Sequence, residues 1–384
     1  MNSVYLDNAA TSFPKAIGVS KSISNYLDNV GCNVNRGAYT SSFEAENVVF
    51  ETRELICKLF NFDKEENVVF TKNITESLNI LIKGLIKKGD HVIVSSMEHN
   101  AVMRPINSLT KKGVEFSRVQ CSAFGELNAS DLIKHIKPNT KAVIMTHASN
   151  VCGTILNLEE VGRICRENDI FFIIDSAQTA GFLNLDYKKL SADAIAFTGH
   201  KSLLGPQGIG GFVVSDKLVD QMTTFIEGGT GSLSEYEIHP DYMPDKFEAG
   251  TLNIPGIYGL NASLKYLFEE GIDSIREKEL NLLNTFLEGV NNIENIKLIG
   301  KSGIKGRTAL ASIDFKEYDN AAISYNLCKN FGIMTRCGLH CAPFAHKTLG
   351  TFPSGTVRFS LSHFNTMDEV NYTIDSINKC LKET

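Results

Sequence analysis

Two short apolar runs constrain this chain more than anything else in it. Phe171–Ile174 stops on Asp175, and Ala194–Phe197 stops on Thr198-Gly199-His200-Lys201. Runs this short and unbroken, bounded by turn formers, read as strands buried on both faces, which points to a mostly parallel sheet. The same punctuation recurs upstream at His91–Val94, Val114–Val119 and Ala142–Thr146, with helical spacing over Ala101–Lys112, Asp131–Ile136 and Leu158–Asn168 between them. Strands alternating with helices imply a sheet covered on both faces. Gly210–Val214 reads as the returning partner of a hairpin opened at Lys201.

The rest of the chain is arranged around that series. Residues 1–15 read as an extended arm, Ile17–Leu27 and Phe43–Phe60 as helices, and Asn29–Ser42 as a loop. Asn67–Phe70 reads as a strand, followed by a helix over Ser77–Ile86. Thr223–Pro255 breaks the alternation, and long irregular segments in compact domains tend to be functional. Helices follow over Gly256–Glu270 and Asp273–Val290. Strands are expected near Ile296–Ile299, Ala309–Phe315, Ile333–Arg336 and Thr356–Ser360, with a closing helix from Met367. This suggests an arm (1–15) packed near the active site and the small domain, a large domain (16–255) and a small α+β domain (256–384), consistent with what 384 residues accommodate.

Composition removes several function classes. A net charge of −6 without a dense basic block argues against a nucleic-acid partner. No apolar run approaches a membrane span, and the first residues lack the basic and apolar regions of a signal peptide, so cytoplasm is the expected location. Nine cysteines, an odd number and scattered, read as reduced thiols. Cys337 and Cys341 lie close in sequence, but no second Cys/His pair accompanies them, so no metal site is expected.

Ligands of open α/β sheets collect at the carboxyl ends of the strands. Asp175 and Lys201 are therefore delivered to one rim. The pairing suits pyridoxal phosphate (PLP), with Lys as the Schiff-base residue and Asp on the pyridinium nitrogen; an ordinary strand-end Asp and a surface Lys is the rival. Thr75-Glu76-Ser77 opens a helix, either as a cap or as an anion site. His99 follows a strand at the same rim, where an imidazole can stack on a ring and pass protons, or simply lie at the surface. Asn150 and Gln178 can donate to a phenolic oxygen, and Thr198 and His200 to a phosphate. Arg358, in a strand, is either surface or a carboxylate clamp. Cys341, flanked by Arg336 and His340, should gain thiolate character from nearby cations; an inert buried Cys is the alternative. Cys337 is expected to point into the core, with a persulfide relay to Cys341 as the competing reading.

Taken together, YLDNAATS, NRGAY, TESLN, EHNA, SNVCGT, DSAQTAG, FTGHKSLLGPQGIGG, FEAGTLN, RCGLHCAP and VRFSLSHFNTMDEV resemble the PLP-dependent cysteine desulfurases and selenocysteine lyases, over nearly the whole chain. The cysteine motif is similar to that of the group whose Cys follows Arg-x-Gly-x-His on a short loop. The resemblance implies the aspartate-aminotransferase type of PLP fold (fold type I), a homodimer, and conversion of L-cysteine to L-alanine with sulfur left as a persulfide for an acceptor protein, as in iron–sulfur cluster assembly. The alternatives are L-selenocysteine as substrate, or a catalytically silent relative acting as a binding partner. By the same resemblance, Lys201 holds the cofactor, Asp175 pairs with its ring nitrogen and His99 stacks on it. Gln178 and Asn150 lie at the phenolic oxygen. Thr75, Glu76, Thr198 and His200 hold the phosphate, helped by Thr251 of a second subunit. Arg358, Asn8, Ala9 and Asn253 meet the substrate, and Cys341 accepts the sulfur.

Overall fold

The computed structural model describes residues 3–34, 37 and 39–383. Its strands are β1 (Val4–Tyr5), β2 (Val68–Thr71), β3 (His91–Ser95), β4 (Glu115–Val119), β5 (Thr140–Thr146), β6 (Phe171–Asp175), β7 (Ala194–Thr198), β8 (Gly210–Val214), β9 (Lys297–Ile299), β10 (Leu310–Asp314), β11 (Ile333–Met334), β12 (Arg336–Gly338) and β13 (Thr356–Ser360). Its α-helices are α1 (Val19–Asn25), α2 (Thr40–Phe60), α3 (Ile74–Leu85), α4 (Asn100–Thr110), α5 (Leu158–Glu167), α6 (Asp216–Val219), α7 (Ile254–Glu270), α8 (Ile272–Val290), α9 (Asn320–Phe331), α10 (Pro343–Leu349) and α11 (Met367–Glu383). The expected helix over Asp131–Ile136 is a 3-10 helix, Ala129–His135.

Seven strands form one sheet in the order β2-β8-β7-β6-β5-β3-β4. β7, β6, β5, β3 and β4 run parallel, and β8 returns antiparallel to both β7 and β2. Alternation along each strand decides what faces where. Phe172, Ile174, Ile195 and Phe197 join one apolar cluster with α2, α5 and α7. Phe171, Ile173, Ala194 and Ala196 join the other with α3 and α4. The same alternation sends Asp175 and Thr198 to the α3/α4 face. The chain adds β4 on one side of β3 and then crosses to add β5 on the other, so a crevice opens at the carboxyl ends of β3 and β5.

A second sheet, β12-β13-β10-β9, is antiparallel. Val357 and Phe359 of β13 enter a core with α8, α9 and α11, which leaves Thr356, Arg358 and Ser360 on the opposite face. The arm is not simply extended. β1 pairs in parallel with β11, Asp7 bridges Ser360, and Ser12 N donates to His200 O at 2.9 Å. The arm therefore runs from the second sheet to the Lys201 segment. The strand expected over Ile333–Arg336 is split, because Ile333–Met334 serves the arm while Arg336–Gly338 serves β13. α7 buries Ile257, Leu260, Leu264 and Leu267 against the large sheet's helices.

Candidate active site

β6 ends on Asp175, which is 2% exposed and accepts a hydrogen bond from Ala177 N at 2.9 Å. Burial raises its pKa, against the opposing pull of the Ala177 N–H and of Lys201. Lys201 follows β7, and burial pushes its pKa down to about 8, only partly offset by Asp175. A lysine held this way is neutral in about a tenth of molecules at pH 7, far more than an ordinary lysine, which makes it a better nucleophile and base. The charges of Asp175, Arg358, Arg336 and Cys341 all act on this one amine.

His99 caps α4, its Nδ1 accepting from Ala101 N at 3.0 Å. That bond leaves the ring proton on Nε2. Burial, then the positive charges of Lys201, Arg336, Arg104 and Arg358, push its pKa down to about 4, so the ring is neutral. Thr198 Oγ1 and His200 Nδ1 are buried with no hydrogen-bond partner. Beside Thr198 lies the N-terminus of α3. A Cβ on Gly210, the residue paired with Thr198, would come within 3.0 Å of Asn73 Cα, so only glycine lets the helix start approach this strand end. Two orphaned polar atoms at the end of β7, one of them next to a helix N-terminus, fit a bound phosphate. Thr75 is exposed in the first turn. Glu76 has a capping task instead: its N–H donates to Asn73 Oδ1 at 3.0 Å and its carboxylate accepts from Lys72 N at 2.6 Å.

Arg358 lies across the rim on β13, 2% exposed. Its Nη1 donates to Asn150 O and its Nη2 to Asp7 Oδ1, both at 2.9 Å, while Nε is buried and unpaired. Asn8, Ala9, Gln178, Lys201 and Ser360 line one small cavity. Gln178 Nε2 donates to Ala9 O at 3.2 Å. The Asn8 amide is committed to the arm, donating to Ser360 O and accepting from Phe13 N. Asn150 Nδ2, the atom that would reach a phenolic oxygen, donates instead to His340 O at 2.6 Å.

Cys341 is exposed on a turn in which His340 (φ 46°) and Cys341 (φ 58°) are both left-handed. Its carbonyl accepts from Asn100 N at 2.8 Å. His340 departs from expectation as a cation: burial pushes its pKa down to about 2, and its Nε2 pairs with Thr356 Oγ1. The positive charge around Cys341 comes from arginines and Lys201, not from His340. Cys337 is opposite Val357 on β12, the face away from Arg336, yet it is exposed. β12 is an edge strand, so the core expected to cover that thiol is not there.

Two expected residues lie apart from this group. Thr251 is exposed and lines a separate cleft of about 420 Å³ with Arg53, Glu248 and Thr230. Asn253 caps α7, accepting from Gly256 N and donating to Gly208 O. Of the NRGAY stretch, Asn35, Arg36 and Ala38 fall outside the described residues.

A family model described as Aminotransferase class-V matches residues 4–373. The chain belongs to this family. Among its class-V relatives, a protein of Methanothermobacter thermautotrophicus named "Probable cysteine desulfurase" is 33% identical over 96% of this chain and 92% of its own length. "Cysteine desulfurase IscS" of Buchnera aphidicola is 31% identical over 99% and 93%. The apo structure of a cysteine desulfurase from Thermococcus onnurineus NA1 superposes with a TM-score of 0.92 at 32% identity, covering 100% of this chain and 95% of that one. This class-V chain is thus a member of the cysteine desulfurases.

Three site residues of this class-V chain escape a reading of the sequence. Asp7 neutralises Arg358. Glu98 is a buried carboxyl that accepts from Ser95 Oγ and Thr146 N, its pKa pushed up to about 8 mainly by burial. The Asn100 N–H holds the Cys341 turn. Asp7 and Glu98 both sit inside quoted motifs, but nothing in spacing tells which charged residue will be paired or buried.

Proposed function

We propose that the protein is a PLP-dependent cysteine desulfurase that converts L-cysteine to L-alanine and retains the sulfur as a persulfide on Cys341. The observation that carries this is the union of two elements: the Cys341 turn is bonded to Asn100, next to His99, on the rim that bears Lys201 and Asp175. The quoted relatives carry the desulfurase name, which favours sulfur over selenium.

The residues present fit the cofactor. Thr198 Oγ1, His200 Nδ1 and the α3 N-terminus supply unmatched polar groups for its phosphate. Lys201 would hold it covalently, Asp175 would oppose its ring nitrogen, and His99 would cover the ring. When bound, PLP supplies an electron sink for charge developing at the substrate Cα. Arg358 binds the substrate carboxylate, with Nε unpaired and Asp7 balancing the remaining charge. Lys201, its pKa near 8, takes the Cα proton and returns one later. The Cys341 thiolate attacks the substrate sulfur. The S–S bond forms as the C–S bond breaks, the bonding pair stays on the carbon fragment, and that fragment gains a proton to leave as alanine. In net terms, cysteine plus the enzyme thiol gives alanine plus the enzyme persulfide, ready for an acceptor protein.

We further propose a homodimer in which Thr251 serves the partner's phosphate site. Thr251 is exposed and remote from its own chain's Lys201 cluster, and the large apolar side chains Tyr39, Phe43, Phe50, Phe225 and Ile226 are exposed. Phe50 lines the same cleft as Thr251, so a partner seated there would cover it.

The test is one turnover with L-cysteine, followed by alkylation and mass spectrometry. Persulfide on Cys341 with one alanine per sulfur is expected, and Cys341→Ser should yield neither. Persulfide at wild-type yield in Cys341→Ser would remove Cys341 from the reaction, and faster turnover of L-selenocysteine in a parallel assay would reassign the substrate.

A further inference from the structure

The Cys341 turn has an awkward backbone. His340 and Cys341 are consecutive left-handed residues that are not glycine, a conformation that persists only where surroundings over-determine it. Two hydrogen bonds do so here, one on each successive carbonyl. Asn150 Nδ2 donates to His340 O at 2.6 Å, and Asn100 N donates to Cys341 O at 2.8 Å. Both donors come from the large sheet's rim, after β5 and after β3, whereas the turn belongs to the chain between β12 and α10. Asn150 is buried, and its own carbonyl accepts from Arg358 Nη1 at 2.9 Å. One residue therefore touches the proposed carboxylate clamp with its backbone and the sulfur-acceptor turn with its side chain.

We propose that Asn150, together with the Asn100 N–H, is a positioning device for the Cys341 thiol: it pins the acceptor turn to the rim at a distance set by the same residue that holds Arg358. This rests on the desulfurase reading above and deepens it. Attack on the substrate sulfur needs the thiol in line with a C–S bond whose position Arg358 helps to fix, and a misplacement of about 1 Å in such a geometry lowers a rate by about a hundredfold. A leaving group that departs without an acceptor has no such need.

That difference supplies the test. β-Chloro-L-alanine loses chloride without a sulfur acceptor, giving pyruvate, ammonium, chloride and one proton with one water consumed, whereas L-cysteine must deliver its sulfur to Cys341. Three variants remove the bonds. Asn150→Ala and Asn150→Asp delete the donor to His340 O. Asn100→Pro deletes the donor to Cys341 O at the first position of α4, where proline suits the helix and no intrahelical bond is lost; the preceding His99 is already extended (φ −73°, ψ 157°). In each variant the ratio of chloride elimination to single-turnover persulfide formation should rise at least about tenfold. Hydrogen exchange over residues 339–342, read without any substrate, should quicken in all three. Equal losses on both substrates would show Asn150 acting on substrate or cofactor and overturn the proposal. Unchanged exchange would overturn it as well. A wild-type protein that forms no persulfide while the variants still quicken exchange would instead sink the desulfurase reading and leave the clamp standing.

Discussion

At the scale of single residues, burial sets the chemistry. Lys201 and His99 are both driven towards their neutral forms by loss of water, and neighbouring positive charge pushes the same way on His99. For Lys201 the sign is testable without cofactor. The amine reacts only when neutral, so its reactivity grows as pH rises and levels off above the pKa. Competitive acetylation of the cofactor-free protein should therefore show Lys201 with a midpoint near 8, while an exposed lysine titrates near its ordinary value of about 10.4. A Lys201 midpoint at the ordinary value would mean that the amine stays hydrated and charged. The pairing of Asp175 with Lys201 was legible from two strand ends. The pairing of Asp7 with Arg358 was not, because it joins residues from opposite ends of the chain.

At the scale of elements, α3 shows how a helix terminus is built for a task. Asn73 supplies the cap, Glu76 closes it from the other side, and the N-terminus is left facing the rim next to Thr198. Ile80, Leu81 and Leu85 on its inner side are buried. Asn73→Ala should lower unfolding stability by about 1 kcal/mol, with Asn73→Asp nearly neutral. Denaturant unfolding of the cofactor-free protein measures this. A drop well under half that size would mean that Glu76 and packing hold the turn without the cap. The start of α3 was readable from TES after a strand, although the helix begins at Ile74 and its cap, Asn73, is two residues earlier than the threonine. The Cys341 turn was readable only as a tight loop. Its clamps come from β3 and β5 connections far away in sequence.

At the scale of the molecule, the core behind β13 with α8, α9 and α11 is a cluster separate from those on the two faces of the large sheet. α7 packs with the large sheet, so we propose that the division between them lies near Gly271, one helix after the boundary at 255/256. Assembly gives a sharper experiment. If Thr251 completes the partner's site, mixing two impaired variants, Lys201→Ala and Thr251→Arg, makes heterodimers with one working site of two. Random re-association should then recover about a quarter of wild-type turnover, because half the dimers are mixed. No recovery after verified subunit exchange would return Thr251 to its own chain.

The sequence by itself determined the strands of the large sheet, the hairpin of β7 and β8, and the delivery of Asp175, Thr198 and Lys201 to one rim. These follow from local periodicity and from the rule that parallel strands end together, and both are properties of contiguous residues. Tertiary structure alone decided the rest. It split Ile333–Arg336 between two sheets, left Cys337 uncovered on an edge strand, made His340 neutral and turned the Asn150 amide onto His340 O. Each of those outcomes depends on which distant backbone or side chain arrives within about 3 Å, and on how much water it displaces. Neither quantity is written in the spacing of residues along the chain.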